Sequence, residues 1–250
     1  MPANAEDSVE LARTAIAEAG GLGADIVCFP ECFVPGYRTP RRKLRPPDAD
    51  FLDRAWADVA AAAADANVAV ILGTERIANR QLLISTLVIG RDGAVLGFQD
   101  KVQLDPSEEA TYSPGSDRRT FRIGDLTFGI SICHEGWRYP ETFRWAARRG
   151  AQVVFHPHLH EAEPGGFRPA TFADPANTFH EKAVLCRAAE NNCFVATVNY
   201  ASQGSPTTSA FVRPDGTLLS WQPYGREGLL VADLDPADAT GLLASRLKSY

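Results

Sequence analysis

Alternation of helical and extended segments constrains the fold of this chain more than any other feature of its sequence. Apolar periodicity predicts a helix over residues 8–19 that ends at Gly20, and a buried strand over residues 24–30. Two hairpins imply a mixed rather than a purely parallel sheet, so we expect an α/β fold. The other predicted elements are helices 51–66, 140–149 and 177–190, strands 68–73, 126–132, 152–155, 194–198 and 228–234, and hairpins 82–97 and 210–221.

The length of the chain bears on its domain organisation. With 250 residues, the chain is long enough to build one large hydrophobic core, and a second domain is not required. We therefore predict a single domain over residues 1–250. One long segment, residues 159–176, is rich in proline, glycine and aromatic residues, and loops of this length in compact domains are often functional.

Charge and hydropathy restrict the partners that we expect. The net charge is −6, and the one basic cluster, Arg41, Arg42, Lys43 and Arg45, is interpreted as a solvated loop. This composition argues against binding to nucleic acid or to an anionic membrane. The sequence contains neither an apolar stretch of about 18 residues nor the layout of a signal peptide.

The five cysteines are an odd number, and most of them lie inside apolar segments. Such a pattern is typical of reduced thiols, so we expect a cytoplasmic protein.

Three reactive side chains each follow an apolar run that is predicted to be a strand. They are Glu31 in FPECF, Lys101 in GFQDKVQL and Cys133 in GISICHEGW. A carboxylate can take up a thiol proton, a thiolate can attack a carbonyl carbon, and an ammonium group can stabilise an oxyanion. Taken singly, each has an ordinary structural interpretation: a solvated glutamate, a surface lysine and a buried core cysteine.

The sequence segments around these residues resemble those of the nitrilase superfamily, the carbon–nitrogen hydrolases. GADIVCFPECFVPGY is similar to the glutamate segment of the family, DKVQL followed by EEATYSPG to its lysine segment, and GISICHEGWRYPE to its cysteine segment. Two later stretches, EKAVLCRAAENNCFVATVNY and TTSAFVRPDGTLL, resemble the helix, strand and hairpin that follow in the family. The resemblance covers most of the chain and is interpreted as that of an amidase-like member.

The resemblance implies a fold and an assembly. Members of this family have a four-layer α-β-β-α sandwich, with two mixed sheets and outer helices, and commonly form homodimers or larger homo-oligomers. Family chains usually begin with a strand before the first helix, whereas this sequence begins at that helix after MPANAED. We therefore expect the sandwich without the first family strand.

The resemblance also implies a reaction without metal or organic cofactor. Glu31 would be the general base, and Cys133 the nucleophile that forms a thioester. Lys101 and the backbone N–H of His134 would stabilise the oxyanion. Many family members have a second glutamate that orients the lysine. Glu108 fits the commoner family spacing better than Glu109 does, and both remain candidates.

Several further residues are candidates for contact with the substrate. Arg138 has the geometry to bind a carboxylate, although it could equally pair with Glu141. His156 and His158, with His160, form an H-x-H-x-H pattern that could ligate a metal, but a role at the pocket rim is favoured. The full set of predicted substrate contacts is Tyr37, Tyr112, Trp137, Arg138, His156 and His158.

Four functions remain open at this point. The leading hypothesis is hydrolysis of a small linear amide, and the second is hydrolysis of an N-carbamoyl amine or amino acid, for which Arg138 is the motivating residue. Nitrile hydrolysis is the third, because the nitrile enzymes of the family tend to have a tryptophan where this chain has His134. The fourth is a non-catalytic protein that has kept the fold.

Overall fold

The computed structural model describes residues 2–38 and 44–248, which divide into two compact units, Met1–Arg118 and Arg119–Tyr250. The prediction of a single domain is not decided by this division and stays a prediction. Three of the four residues of the basic cluster lie outside the described residues. The fourth, Arg45, is exposed and forms a surface ion pair with Glu6.

The first unit contains two helices and a four-stranded sheet. Strand β1 pairs in parallel with β2, whereas β3 and β4 follow in antiparallel order, so the sheet is mixed, as predicted. The two helices begin at N-cap residues, Asn4 and Asp48, whose side chains accept hydrogen bonds from backbone N–H groups of the first turn. The second helix ends at Asn67, which adopts a left-handed conformation. The elements are α1 (Ala5–Gly21), β1 (Ile26–Cys28), α2 (Ala49–Ala66), β2 (Ala69–Ala78), β3 (Gln81–Ile89) and β4 (Val95–Asp100).

Close packing over β2 fixes the path of the segment that carries Glu31. A side chain at Gly73 would place its Cβ 1.8 Å from the carbonyl oxygen of Pro30, so only glycine allows the segment to cross here. Backbone hydrogen bonds from Phe29 to Ile71 and from Val34 to Gly73 then attach residues 29–34 to the strand. Glu31 is therefore held on both sides by backbone pairing.

The second unit contains a six-stranded sheet in the order β10-β9-β8-β7-β6-β5. Strands β6, β7 and β8 are parallel, and the outer pairs are antiparallel. Helices α4 and α5 pack against these central strands. The elements are β5 (Thr120–Ile123), β6 (Leu126–Ile130), α3 (His134–Arg138), α4 (Pro140–Ala147), β7 (Val153–Pro157), α5 (His180–Asn191), β8 (Phe194–Val198), β9 (Ala210–Val212), β10 (Leu218–Trp221), a 3-10 helix (Pro236–Asp238) and α6 (Leu242–Arg246).

The structure corrects some of the predicted elements. The strand over residues 228–234 is wrong: this segment pairs with no strand among the described residues, and Val231 is half exposed, so its apolar residues lack a sheet to join. Strands β2 and β3 form an additional hairpin through Asn79 and Arg80, both with positive φ, that the prediction missed.

None of the helices in the described part of the chain combines the length and apolarity that a membrane crossing needs.

Candidate active site

Lys101, which follows β4, is buried between two carboxylates of the first unit. Its side chain is completely inaccessible, and its Nζ atom lies 2.7 Å from Glu31 Oε1 and 2.7 Å from Glu108 Oε1. Both glutamates are also buried. Burial of a charged group costs several kcal/mol unless partners compensate it, so both carboxylates depend on Lys101, and Lys101 depends on them.

Glu108, rather than Glu109, contacts Lys101. Its Oε1 accepts a short hydrogen bond from the hydroxyl of Tyr37, and its Oε2 accepts one from the backbone N–H of Asp105 at 2.8 Å. Glu109 is exposed. These bonds fix the orientation of the Glu108 carboxylate, which in turn fixes the ammonium group of Lys101.

A further buried carboxylate, Glu75, was missed by the sequence analysis. Glu75 lies on β2, is fully buried, and accepts hydrogen bonds from Arg38 Nε at 2.6 Å, Arg38 Nη2 at 2.9 Å and the Tyr112 hydroxyl at 2.8 Å. Burial, and then the neighbouring Cys32 and Glu75, raise the pKa of Tyr112, so its hydroxyl stays protonated and donates. Arg38 directly follows Tyr37, and the rings of Tyr37 and Tyr112 are 6.4 Å apart.

We expect Glu75→Gln to lower the free energy of unfolding by about 3 kcal/mol, because it removes the buried charge that pairs with Arg38. Tyr112→Phe, which deletes one hydrogen bond and leaves that pair intact, should cost about 1 kcal/mol. Urea denaturation of both variants measures the two losses. Equal losses would show that the Arg38–Glu75 pair contributes little.

Cys133 lies in the second unit, at the turn between β6 and the short helix α3. Its φ of 50° and ψ of −113° are unusual for a residue with a side chain. The backbone N–H of Cys133 donates to Pro157 at 2.9 Å, and its Sγ lies 3.8 Å from the carbonyl oxygen of Leu159. The residue as a whole is 7% exposed. The predicted sharp strand-to-helix turn is present, with His134 as the first residue of α3.

Trp137 lies at the centre of a group of histidines. Its ring centroid is 5.2 Å from that of His156, 4.8 Å from His158, 5.5 Å from His160 and 4.5 Å from His180. His180 had not been predicted as a neighbour of this site. We call these four residues with Trp137 the histidine cluster. No group of three His, Cys, Asp or Glu side chains within residues 2–38 and 44–248 has a geometry that could hold a metal ion.

Three rings of the histidine cluster are held in the neutral form. Burial lowers the pKa of His160 to about 4, and burial together with His160 lowers that of His180 to about 3. Burial, and then the neighbouring His156, also lower the pKa of His158 well below its ordinary value. His158, His160 and His180 are therefore uncharged near neutral pH.

Acid should destabilise the protein through this cluster. The unfolded chain takes up protons on these histidines below about pH 6.5, whereas the folded chain resists until about pH 3–4, so the free energy of unfolding falls as the pH drops through that window. His160→Phe keeps the ring and removes one titrating group, and should flatten the fall. Urea denaturation between about pH 7 and pH 5 measures it, and an unchanged slope in the variant would contradict this origin.

The predicted substrate contacts lie in different surroundings. Tyr37 and Tyr112 belong to the carboxylate networks of the first unit, whereas His156, His158 and Trp137 are buried in the second. Arg138 is exposed, and its guanidinium lies 4.3 Å from the centre of the Phe179 ring. Contact of these residues with a substrate stays a prediction.

The family of the chain follows from comparison with known proteins. The family model described as carbon–nitrogen hydrolase matches residues 1–242. The chain therefore belongs to the carbon–nitrogen hydrolase family, as the three sequence segments predicted, and is a hydrolase of the amidase and nitrilase class.

Curated relatives are similar to the chain over most of its length. A (R)-stereoselective amidase from Pseudomonas sp. is 27% identical over 223 residues, which is 88% of this chain and 74% of that protein. An omega-amidase from Homo sapiens is 28% identical over 245 residues, covering 92% of this chain and 83% of that protein. A nitrilase from Pyrococcus abyssi is 27% identical over 235 residues, covering 90% and 82%.

Solved structures confirm the predicted fold class. An amidase from Nesterenkonia sp. AN1 matches with a TM-score of 0.78 and 27% identity, over 95% of this chain and 90% of that one. A variant of that amidase, in which acrylamide has added to the active-site cysteine, matches with a TM-score of 0.78 and 26% identity over 97% and 93%. The fold is thus the α-β-β-α type of the nitrilase superfamily.

Proposed function

We propose that this protein hydrolyses a small linear amide through a thioester on Cys133. The observation that carries the proposal is the fully buried Lys101 between Glu31 and Glu108. An ammonium group and two carboxylates are costly to bury, and such clusters of interacting ionisable groups are concentrated at functional sites. A neighbour whose active-site cysteine adds to acrylamide supports a nucleophilic cysteine in this fold.

Each residue has a distinct part in the proposed reaction. Glu31 takes the thiol proton while Cys133 Sγ attacks the amide carbonyl carbon. Lys101 Nζ and the His134 N–H stabilise the oxyanion of the tetrahedral intermediate, and Glu108 keeps Lys101 oriented. The proton passes to the amide nitrogen, ammonia leaves, and water attacks the thioester to release the acid and restore the thiol.

A second candidate substrate is an N-carbamoyl amine or amino acid. The exposed guanidinium of Arg138, on the helix that begins next to Cys133, favours this alternative because it can bind a carboxylate in bidentate geometry. Nitrile hydrolysis ranks third, although several relatives are named nitrilases or arylacetonitrilases. We further propose a homodimer or higher homo-oligomer in the cytoplasm.

Ammonia release from a panel of substrates tests the proposal. The panel holds short aliphatic amides, N-carbamoyl amino acids and the nitriles of matching chain length. We expect turnover of the amides to exceed that of the nitriles, and Arg138→Ala to leave simple amides unaffected. Loss of carbamoyl turnover in Arg138→Ala would favour the second candidate, and nitrile rates equal to amide rates would contradict the ranking.

A further inference from the structure

The ring of His156 packs directly behind the carbonyl group of Cys133. Its Nε2 atom lies 2.9 Å from that carbonyl oxygen, and the ring is fully buried. Helix α3 approaches so closely that a Cβ at Gly136 would lie 2.5 Å from this ring. Because a carbonyl oxygen can only accept, His156 must carry a proton on Nε2 and donate it to Cys133.

This proton fixes the direction of a longer chain of hydrogen bonds. With a single ring proton, on Nε2, His156 accepts at Nδ1 from Thr197 Oγ1 at 3.0 Å. The Thr197 hydroxyl has then used its one proton, so it accepts from His158 Nδ1 at 3.2 Å. The same His158 Nδ1 faces the carbonyl oxygen of His156 at 3.2 Å, which independently requires a proton on that nitrogen.

The hydrogen bonds at the other end of this hydrogen-bond chain have the same direction. With Nδ1 protonated, His158 Nε2 accepts from Thr207 Oγ1 at 3.2 Å, and Thr207 Oγ1 accepts from Asn199 Nδ2 at 3.1 Å. All five side chains lie in the second unit. The two histidines are thus opposite tautomers, protonated on Nε2 in His156 and on Nδ1 in His158.

We propose that His156 is a positioning residue that orients the oxyanion donor of the site. The carbonyl of Cys133 and the N–H of His134 belong to one planar peptide group, so a hydrogen bond that holds the carbonyl also aims the N–H in the opposite direction. The inference rests on the proposed function in one respect: it takes that N–H as an oxyanion donor.

The hydrogen bond from His156 to the Cys133 carbonyl supports the oxyanion donor in two ways. The φ of 50° and ψ of −113° at Cys133 are unfavourable, so the turn requires surrounding contacts that hold it, and His156 Nε2 and the N–H of Gly136 both donate to its carbonyl. A donor on the carbonyl also polarises the peptide and makes its N–H more positive, which strengthens the bond to an oxyanion.

Kinetics of three variants test the role of His156. His156→Leu removes the donor and should lower kcat by about 10- to 100-fold with little change in KM, because the oxyanion forms only in the transition state. His156→Gln, whose amide can donate to Cys133 and accept from Thr197, should recover part of the loss. Thr197→Val should lower kcat several-fold, and a wild-type kcat in His156→Leu would overturn the proposal.

A matched control is provided by Thr142, on α4 in the same unit. Its hydroxyl is buried and has no hydrogen-bond partner among the residues that the structure describes. Thr142→Val therefore removes a buried hydroxyl of the same kind without changing the hydrogen-bond chain. This variant should keep the wild-type kcat. A loss equal to that of Thr197→Val would show that the effect is general and overturn the proposal.

The tautomers provide a test that needs no substrate. Long-range ¹H–¹⁵N correlation spectra of the folded wild-type protein distinguish protonated from unprotonated ring nitrogens. We expect protonated Nε2 and bare Nδ1 in His156, and the reverse in His158; a bare Nε2 in His156 would overturn the hydrogen-bond chain. This result does not depend on turnover, so a wrong hydrogen-bond chain can be distinguished from a wrong proposed function. If the proposed function is wrong, activity will persist in Cys133→Ala.

Discussion

Substitution of Cys133 by serine should lower amide turnover by about 10⁴-fold or more while the protein stays folded. The hydroxyl is nearly the same size as the thiol, so the turn and its hydrogen bonds to Pro157 and Gly136 persist. It is, however, a much weaker acid and nucleophile than the thiol. Ammonia release measures the loss of turnover, and thermal unfolding followed by circular dichroism measures the stability, which we expect to be close to that of the wild type.

The other cysteines provide the controls for this experiment. Cys186 is exposed, and Cys186→Ser should keep wild-type turnover. Burial raises the pKa of the Cys28 and Cys32 thiols, and burial with the nearby Glu190 raises that of Cys193 to about 12, so these three should resist iodoacetamide in the folded protein. If Cys133→Ser kept a tenth or more of the activity, the nucleophile would have to be another residue.

Replacement of Lys101 by methionine should be among the most destabilising single changes in the chain. It removes the ammonium group that lies 2.7 Å from both Glu31 and Glu108 and leaves two buried carboxylates facing each other. Loss of one partner from a buried ion cluster costs about 3–5 kcal/mol. Urea denaturation near neutral pH measures this loss, and turnover should disappear with it.

Two comparisons separate charge from packing in this result. The triple variant of Lys101→Met with Glu31→Gln and Glu108→Gln carries no buried charge and should recover much of the lost stability. In the single variant the two carboxylates lack their counter-charge, so its stability relative to that of the wild type should recover as the pH falls and the carboxylates take up protons. A single variant that is as stable as the wild type would contradict the account of the cluster.

The local sequence predicted a candidate site, and the structure brings two of its three main residues, Glu31 and Lys101, into contact. Glu31, Lys101 and Cys133 were singled out because each follows an apolar run and because the surrounding segments resemble those of one family. The choice between Glu108 and Glu109 could not be made from sequence alone, since both are adjacent acids in a turn. Only the folded structure shows that Glu108 is buried against Lys101 and that Glu109 faces solvent.

Residues that act through distant partners were not predictable. Glu75 is a charged residue inside the apolar strand AVILGTERIA, which is a usable signal, but its partners Arg38 and Tyr112 are each 37 residues away. The spacing of His156 and His158 indicated only that they share one face of a strand. Their tautomers follow from Thr197 and Thr207, which reach them from the next strand and the loop after it.

The strand predicted over residues 228–234 failed for a related reason. Apolar residues in a row indicate an extended segment, but a strand also requires a neighbour with free backbone groups. In the described chain the sheet of the second unit ends with β10 on that side, and residues 228–234 do not extend it. Periodicity reports burial and extension, whereas pairing depends on topology.

Intact-mass spectrometry after acid quenching detects a thioester on Cys133 directly. Wild type and Cys133→Ala are incubated with the same short aliphatic amides and carbamoyl amino acids, and modified protein is digested to locate any adduct. We predict an added mass equal to the acyl group of the substrate, on Cys133, in the wild type alone. An adduct on another residue, or ammonia release that persists in Cys133→Ala, would contradict the thioester mechanism.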